Sequence, residues 1–241
     1  MRYGIFADVH SNLEALEAVL QAIEKERVDQ ILCAGDMVGY GADPEPILRL
    51  LKRKAHPVVA GNHDWLVADR MDLDWFDKPA QEAALWTRTR LPEEERIYLG
   101  NLPLIWRDTQ LTLAHGSIHE PDQFHYVLNL QTARASLQVQ ETPVAFIGHT
   151  HHPGVFTEEQ GQISFSPSAH VSLRSGVKYL VNVGSVGQPR DGDPRAAWCL
   201  YDAAAQTVEI RRVSYPVEKV QAKIRQAGLP EFLAERLALG H

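Results

Sequence analysis

Cysteine is scarce in this sequence, where Cys33 and Cys199 are the only two among 241 residues. Two cysteines cannot build a disulfide framework, and they lack the C-x-x-C spacing of a zinc or redox site. A disulfide-stabilised secreted domain and a structural thiolate zinc protein are therefore both excluded. The scarcity instead favours a reducing compartment, so we expect a cytoplasmic protein.

Long apolar runs and blocks of basic residues are also missing. No stretch approaches the roughly 18 consecutive apolar residues of a membrane span, and the apolar run at the N-terminus is too short for a signal peptide. The chain carries 24 Lys and Arg against 31 Asp and Glu, a formal charge of −7. We therefore expect no membrane association and no nucleic-acid binding through bulk charge, because the latter depends on a positive surface.

Strand and helix signals alternate in the first half of the chain, a rhythm that favours a parallel sheet. From residue 104 onward, short strand-like runs separated by turn residues dominate. We therefore predict an α/β protein with two sheets in a single domain over residues 1–241. In the first half, strands are predicted at 3–7, 30–34 and 57–60, with helices at 13–23 and 44–52 and a mostly helical stretch at 64–101.

Histidine is abundant, and its placement has a pattern. The chain has 11 histidines, and five of them lie just beyond the end of a predicted strand, as do two aspartates and one asparagine. In open α/β sheets, binding sites form beyond the carboxyl ends of the strands, so we expect these side chains to converge. They are Asp8, His10, Asp36, Asn62, His63, His115, His149 and His151.

Carboxylate, amide and imidazole groups without a thiolate form a ligand set for manganese, iron, cobalt, nickel or zinc. The candidate ligands are too many for one ion with an open position, but they suffice for two ions bridged by one carboxylate. Two ions about 3.5–4 Å apart can clamp an in-line displacement at phosphorus. Any single Asp after a strand is more typical of a turn or a helix cap. The candidate ligands are Asp8, His10, Asp36, Asn62, His115, His149 and His151.

The order of these motifs resembles that of the calcineurin-like metallophosphoesterases. The resemblance implies a four-layer αββα sandwich, in which two mixed β-sheets are flanked by helices. A weaker match, Asn182-x-Gly184-Ser185, is similar to a segment of the small bacterial and archaeal phosphodiesterase branch. The five main motifs are Asp8-x-His10, Gly35-Asp36, Gly61-Asn62-His63-Asp64, His115-Gly116 and Gly148-His149-Thr150-His151.

The same resemblance implies a role for each residue and two divalent metal ions as cofactors, with manganese expected first and iron, nickel, cobalt or zinc as alternatives. His63 would be the general acid on the leaving oxygen, with Asp64 as its orienting partner. The nucleophile would be a metal-bound hydroxide. One ion would be held by Asp8, His10 and His151, the other by Asn62, His115 and His149, with Asp36 bridging both.

The expected substrate is a small phosphodiester, with nucleotide-derived esters among the candidates. The protein phosphatase and dinucleoside polyphosphate hydrolase branches have an Arg after the second motif, whereas residues 37–44 contain none. Arg190 is the predicted substitute for that cation, and Tyr40 is the predicted aromatic contact to the substrate. A metal-dependent phosphomonoesterase is the first alternative function.

A non-catalytic scaffold, like the retromer subunit that resembles this family, is the second alternative, and the complete ligand set argues against it. The sequence allows a homodimer without requiring one. The five tryptophans are expected to pack in the core or against helices rather than to stack on substrate.

Overall fold

Two mixed β-sheets lie at the centre of the fold, with helices on both outer sides. The computed structural model describes residues 1–241 and contains eleven strands and eight α-helices. The strands are β1 (Arg2–Phe6), β2 (Gln30–Cys33), β3 (Ile105–Arg107), β4 (Leu111–Ala114), β5 (Val144–Ile147), β6 (Gly154–Glu159), β7 (Gln162–Ser166), β8 (His170–Ser172), β9 (Lys178–Asn182), β10 (Ala196–Asp202) and β11 (Thr207–Val213). The helices are α1 (Leu13–Lys25), α2 (Pro44–Lys54), α3 (Asn62–Val67), α4 (Lys78–Arg90), α5 (Glu93–Gly100), α6 (Leu130–Val139), α7 (Val217–Gln226) and α8 (Glu231–Glu235).

Parallel strands bring the loops of the site to one edge. The first sheet has the order β2-β1-β10-β11-β8, and the second has the order β3-β4-β5-β9-β6-β7. In the first sheet β1 and β2 run parallel, and in the second β4, β5 and β9 run parallel. The carboxyl ends of parallel strands meet at one edge, so the loops after β1, β2, β4 and β5 can converge.

Side chains alternate between the two faces of each central strand and so divide the apolar core into layers. In β1, Ile5 packs between the two sheets, whereas Phe6 packs against the helices outside the first sheet. In β5, Phe146 packs between the sheets, whereas Ala145 belongs to the layer on the α6 side. This arrangement confirms the predicted four-layer αββα sandwich.

Helix α1 shows how the sequence specifies the outer layer. Its Leu16 and Ile23 are fully buried, and Asn12 caps its N-terminus by accepting a hydrogen bond from the Ala15 N–H at 3.1 Å. A Cβ at Gly4 would lie 2.8 Å from Ile23 Cγ2, so a glycine is needed for α1 to pack this closely on β1. None of the helices has both the length and the apolar character needed to cross a bilayer.

The prediction of a third strand at 57–60 is wrong. This segment forms only an isolated parallel bridge, between Val58 and Cys33. Pro57 has no N–H to donate to a ladder, and the bridge does not extend. The segment still runs beside β2 and leads directly into α3. Strand β8, at the edge of the first sheet, has no counterpart among the predicted strands.

Candidate metal centre

All seven predicted metal ligands lie in loops or at a helix start just beyond the strands, and all are buried. Asp8 and His10 follow β1, and Asp36 follows β2. Asn62 is the first residue of α3 and lies at the end of the segment that runs beside β2. The second sheet contributes the other three, with His115 after β4 and His149 and His151 after β5.

The backbone of these loops is strained. Five of the seven ligand candidates have positive φ angles, between 48° and 68°, although none is glycine. Such a conformation is uncommon for residues with a side chain, and clusters of it occur at functional sites. The five are Asp8, His10, Asp36, His149 and His151.

One group of donor atoms forms around Asp8. The Nε2 atom of His151 lies 3.3 Å from Asp8 Oδ1, and the Nε2 atom of His10 lies 3.8 Å from the same oxygen. The two Nε2 atoms are 3.1 Å apart. The ligand atoms of these three residues all lie within 4.8 Å of one another, a spacing that suits one metal ion.

A second group forms around His115. Its Nε2 atom lies 3.1 Å from Asn62 Oδ1 and 3.1 Å from His149 Nδ1. Asp36 connects the two groups, because its Oδ2 lies 3.2 Å from His115 Nε2 and 3.7 Å from His10 Nε2. The structure therefore brings all seven candidates together, in two groups that share Asp36. Their role as ligands stays a prediction.

Hydrogen bonds outside the site fix which atoms face it. A backbone carbonyl can only accept, so an imidazole Nδ1 bonded to one carries the proton and leaves the Nε2 lone pair free for a metal. Three histidines donate in this way: His10 to the Val38 carbonyl, His115 to the Ala34 carbonyl and His151 to the Gln188 carbonyl.

Each carboxylate likewise uses one oxygen outside the site. Asp8 Oδ2 accepts the His149 N–H at 2.9 Å, and Asp36 Oδ1 accepts the His63 N–H at 2.8 Å. The other oxygen of each faces the centre, and Asp8 Oδ1 is buried there without a hydrogen-bond partner. Acceptor atoms in close contact repel one another unless a cation lies between them. The donor set therefore fits divalent metal ions.

The pKa values agree with this interpretation. Burial lowers the pKa values of His10, His149 and His151, which favours the neutral imidazole that binds metals. His115 differs, because although burial opposes its protonation the nearby Asp36 carboxylate raises its pKa to about 9. Without an ion, a proton on His115 supplies part of the positive charge that this site requires.

His63 lies at the boundary between these groups and an open cavity. Its ring packs 4.4 Å from the Tyr40 ring and 5.2 Å from the Phe76 ring, between centroids. Its Nδ1 is buried without a hydrogen-bond partner. A Cβ on Gly39 would lie 2.9 Å from that atom, and Gly39 has a φ of +94°. Only glycine at this position leaves room for the His63 ring.

The expectation that Asp64 orients His63 is not met. Asp64 Oδ1 accepts the backbone N–H groups of Met37 and Val38, and Oδ2 accepts that of Gly61 at 3.0 Å. His63 and Asp64 are successive residues of a helix, and successive residues do not face each other. Asp64 instead fixes the loop after β2 against the start of α3.

A cavity of about 320 Å³ opens beside the two groups, with Asn62, His63 and His149 on its inner wall. Both predicted substrate residues line it. Arg190 donates to Gln188 Oε1 at 2.8 Å and lies 3.5 Å from the Tyr40 hydroxyl. A larger groove between α1, α2 and β2 has a volume of about 780 Å³, but it contains none of the site residues.

Sequence reasoning missed part of the cavity wall. The five tryptophans are expected to pack in the core or against helices, but Trp75 lies outside the core, is 69% exposed and lines the cavity. Phe76, Phe232 and Arg236 line it as well. They come from segments without site motifs, and nothing in their local sequence marks them.

The weaker motif around residue 182 supports the ligand loops. Asn182 Nδ2 donates to the Gly148 carbonyl at 2.6 Å and to Thr150 Oγ1 at 2.9 Å. Ser185 Oγ donates to the Asp8 carbonyl at 2.8 Å. These hydrogen bonds hold the backbone on either side of the candidate ligands.

Comparisons with known proteins show the family to which the chain belongs. The family model of the calcineurin-like phosphoesterase superfamily domain matches residues 1–205. An uncharacterized protein of Methanocaldococcus jannaschii is 37% identical over 241 residues, covering 98% of this chain and 97% of the relative.

Solved structures give the same result for the fold. A metallophosphoesterase from Sphaerobacter thermophilus is 40% identical with a TM-score of 0.89, and the match covers 100% of this chain and 99% of that one. A hypothetical protein from Pyrococcus horikoshii has the same fold, with 21% identity, a TM-score of 0.81 and coverage of 100% and 98%.

Proposed function

The chain belongs to the calcineurin-like phosphoesterase superfamily, and we propose that it is a phosphodiesterase that depends on two divalent metal ions. The main support is the convergence of buried donor atoms into two groups that share Asp36. The proposed first site consists of Asp8, His10 and His151, the second of Asn62, His115 and His149, with Asp36 common to both.

When bound, the ions would supply Lewis acidity, which lowers the pKa of water to about 7 and offsets charge on the phosphoryl oxygens. We propose manganese as the first metal to test, with iron, nickel, cobalt or zinc as alternatives, since imidazole, carboxylate and amide donors without a thiolate serve all of these ions. The surrounding residues orient the metal-binding atoms. Hydrogen bonds from three imidazoles to backbone carbonyls, and from backbone N–H groups to both carboxylates, fix the direction of these side chains.

His63 is the proposed general acid for the leaving oxygen. Burial lowers its pKa to about 4, although Asp36 acts in the opposite direction, so the bare imidazole is neutral at pH 7. An anionic phosphoester beside the ring would favour the imidazolium form and raise the pKa again. We therefore propose that substrate binding favours protonation of His63 from solvent, and that His63 then donates this proton to the leaving oxygen.

Arg190 and Tyr40 are the proposed phosphate contacts. Arg190 Nε is buried without a hydrogen-bond partner, so this donor remains available to an oxyanion. The Tyr40 ring lies between His10 and His63, at 4.7 Å and 4.4 Å between centroids, and burial raises its pKa to about 12. Its hydroxyl therefore stays protonated and can donate to a phosphoryl oxygen.

Preference for a diester is supported by the cavity beside the metal groups. A monoester has one organic substituent, whereas a diester has two that must both be accommodated. The cavity of about 320 Å³ has aromatic side chains on its wall, among them Phe76 and Tyr126, which suits an organic group next to the phosphorus.

The test is hydrolysis of bis(p-nitrophenyl) phosphate beside p-nitrophenyl phosphate by metal-stripped protein that receives Mn, Ni, Co, Zn or Mg in turn. We expect metal-dependent cleavage that is faster for the diester, with about two ions bound per chain by elemental analysis. A D36N variant should lose ions and activity together. His170→Ala is the matched control, because His170 is an exposed histidine on β8 outside the site.

Two results would contradict the proposal. Faster cleavage of the monoester would identify a phosphomonoesterase. No cleavage of either ester by protein with both ions bound would favour a non-catalytic scaffold.

A further inference from the structure

The outer wall of the cavity comes partly from the C-terminal segment, residues 217–241. Phe232 of α8 lines it, as does Arg236, which begins a short 3-10 helix after α8. The superfamily match ends at residue 205, so this part of the wall lies beyond the region that defines the family. The segment is therefore a place where substrate selection can differ within the superfamily.

The cavity is lined by two guanidinium groups that pair with no Asp or Glu side chain. Neither Arg190 nor Arg236 forms a salt bridge with an Asp or Glu. Asp77 is the one carboxylate residue on the lining, and its Oδ1 accepts the Ala80 N–H at the start of α4. Among its side chains the wall thus has two arginines against one aspartate.

Both arginines have donors to spare. Arg190 Nε is buried and unpartnered. Arg236 donates through Nε to the main-chain oxygen of His241, the last residue of the sequence, and its two terminal nitrogens make no hydrogen bond to the protein. Burial and the charge of Arg190 lower the pKa of Arg236 to about 10, so Arg236 remains protonated at neutral pH, and both arginines line the same space.

Arg190 already has a role in the proposed function, but Arg236 does not. A guanidinium presents a planar pair of donors that matches a phosphate or carboxylate group. The Arg236 guanidinium lies over the Phe232 ring, 4.8 Å from its centroid, and the exposed Trp75 ring lines the same cavity, where it favours a planar group that can stack.

We propose that Arg236 binds a second anionic group on the substrate, so that the preferred substrates are nucleotide-like phosphodiesters with a negative charge beyond the scissile phosphate. This inference rests on the proposed function, since it states which residue binds the part of the phosphodiester that is not cleaved. Arg236 is a specificity residue in this scheme and takes no part in the chemical step.

A matched pair of esters tests it. Thymidine 5′-(p-nitrophenyl phosphate) and the same compound with an added 3′-phosphate share the leaving group and the base, and differ only in the second anion. We expect the wild-type enzyme to have a kcat/KM about tenfold higher for the ester with the 3′-phosphate, the typical effect of one charge-assisted contact. In R236A the ratio should fall to about one, and in R236K it should be intermediate.

The ratio within one variant is insensitive to partial misfolding, because a smaller folded fraction lowers both rates equally. R225A is the matched control, since Arg225 lies on α7 of the same segment and pairs with Glu231 instead of facing the cavity. It should retain the wild-type ratio.

Binding of products gives a second measurement that does not require turnover. Calorimetry on the metal-loaded protein should show tighter binding of thymidine 3′,5′-bisphosphate than of thymidine 5′-monophosphate, and R236A should remove the difference. A wild-type preference near one, or a preference that survives in R236A, would overturn the inference. If neither ester is cleaved, the proposed function fails, and the binding comparison still decides the role of Arg236.

Discussion

Replacing His63 is the most informative perturbation of the site, because it separates proton transfer from metal binding. The His63 imidazole lies within 4.8 Å of ligand atoms of His10 and Asp36, so by distance alone it could be a metal ligand. Its backbone N–H, however, bonds to Asp36 Oδ1, and that hydrogen bond survives in H63A. We therefore expect both metal ions to stay bound in the variant.

The size of the kinetic effect should depend on the leaving group. A positioned general acid contributes about 10²–10⁴-fold when the leaving oxygen is strongly basic. Phenolate is more basic than p-nitrophenolate and needs the proton more. We expect H63A to lower kcat by about 10²-fold or more for a phenyl ester of thymidine 5′-phosphate, and by about tenfold or less for the p-nitrophenyl ester.

The assay compares kcat for the two esters in wild type, H63A and the control H170A, with metal content measured on the same samples. Loss of the imidazole opens space beside Tyr40 and Phe76 at the edge of the cavity, so folding should be affected little. An equal loss for both esters would refute the general-acid role. Loss of one ion in H63A would show that His63 is a ligand.

Three further predictions follow from other features. G39A should lower kcat without loss of metal and should reduce the free energy of unfolding by about 1–2 kcal/mol. The reason is that residue 39 has a φ of +94° and that the new Cβ would lie 2.9 Å from His63 Nδ1. Steady-state kinetics and denaturant unfolding measure the two effects. Glu14 is buried, and its Oε1 lies 2.7 Å from Lys223 Nζ and 3.0 Å from Lys219 Nζ. Although burial opposes ionisation, these lysines lower the pKa of Glu14, so E14Q should reduce the free energy of unfolding by about 2 kcal/mol at neutral pH. In unfolding measurements this difference from wild type should shrink as the pH falls below the unfolded pKa of about 4.3. Removal of both metal ions by a chelator should lower the midpoint of thermal unfolding by roughly 10–20 °C relative to protein with metal at about 100 times the Kd of each site, and addition of Mn²⁺ should restore it.

The site was more predictable from the sequence than the cavity. Metal ligands follow strands, and the strands are detectable from apolar runs, so Asp8, Asp36 and His115 could be placed at one edge before any coordinates. The resemblance of the motif order to that of the metallophosphoesterases then implied which residues would hold the same ion. The cavity wall has no such signal, because Trp75 and Arg236 reach it through the packing of helices that are far apart in sequence.

Two errors have local physical causes. The segment at 57–60 has the composition of a strand, but Pro57 lacks the N–H that an extended ladder needs. Asp64 is adjacent to His63 in sequence, yet successive helical residues point in different directions, and its carboxylate bonds to backbone N–H groups instead. On a helix, two side chains face each other only when they are three or four residues apart in the sequence.

The candidate metal centre is the place where this chain departs from what folding alone would select. Five ligand candidates hold positive φ angles, each at a cost on the order of 1 kcal/mol, and buried acceptors such as Asp8 Oδ1 and His10 Nε2 face one another without a donor between them. Together these costs are comparable to the whole net stability of a domain, about 5–15 kcal/mol. The second sheet can support them because β4 and β5 are buried along their whole length. A cation between the acceptors would relieve the electrostatic part, so metal binding and folding should be coupled in this protein.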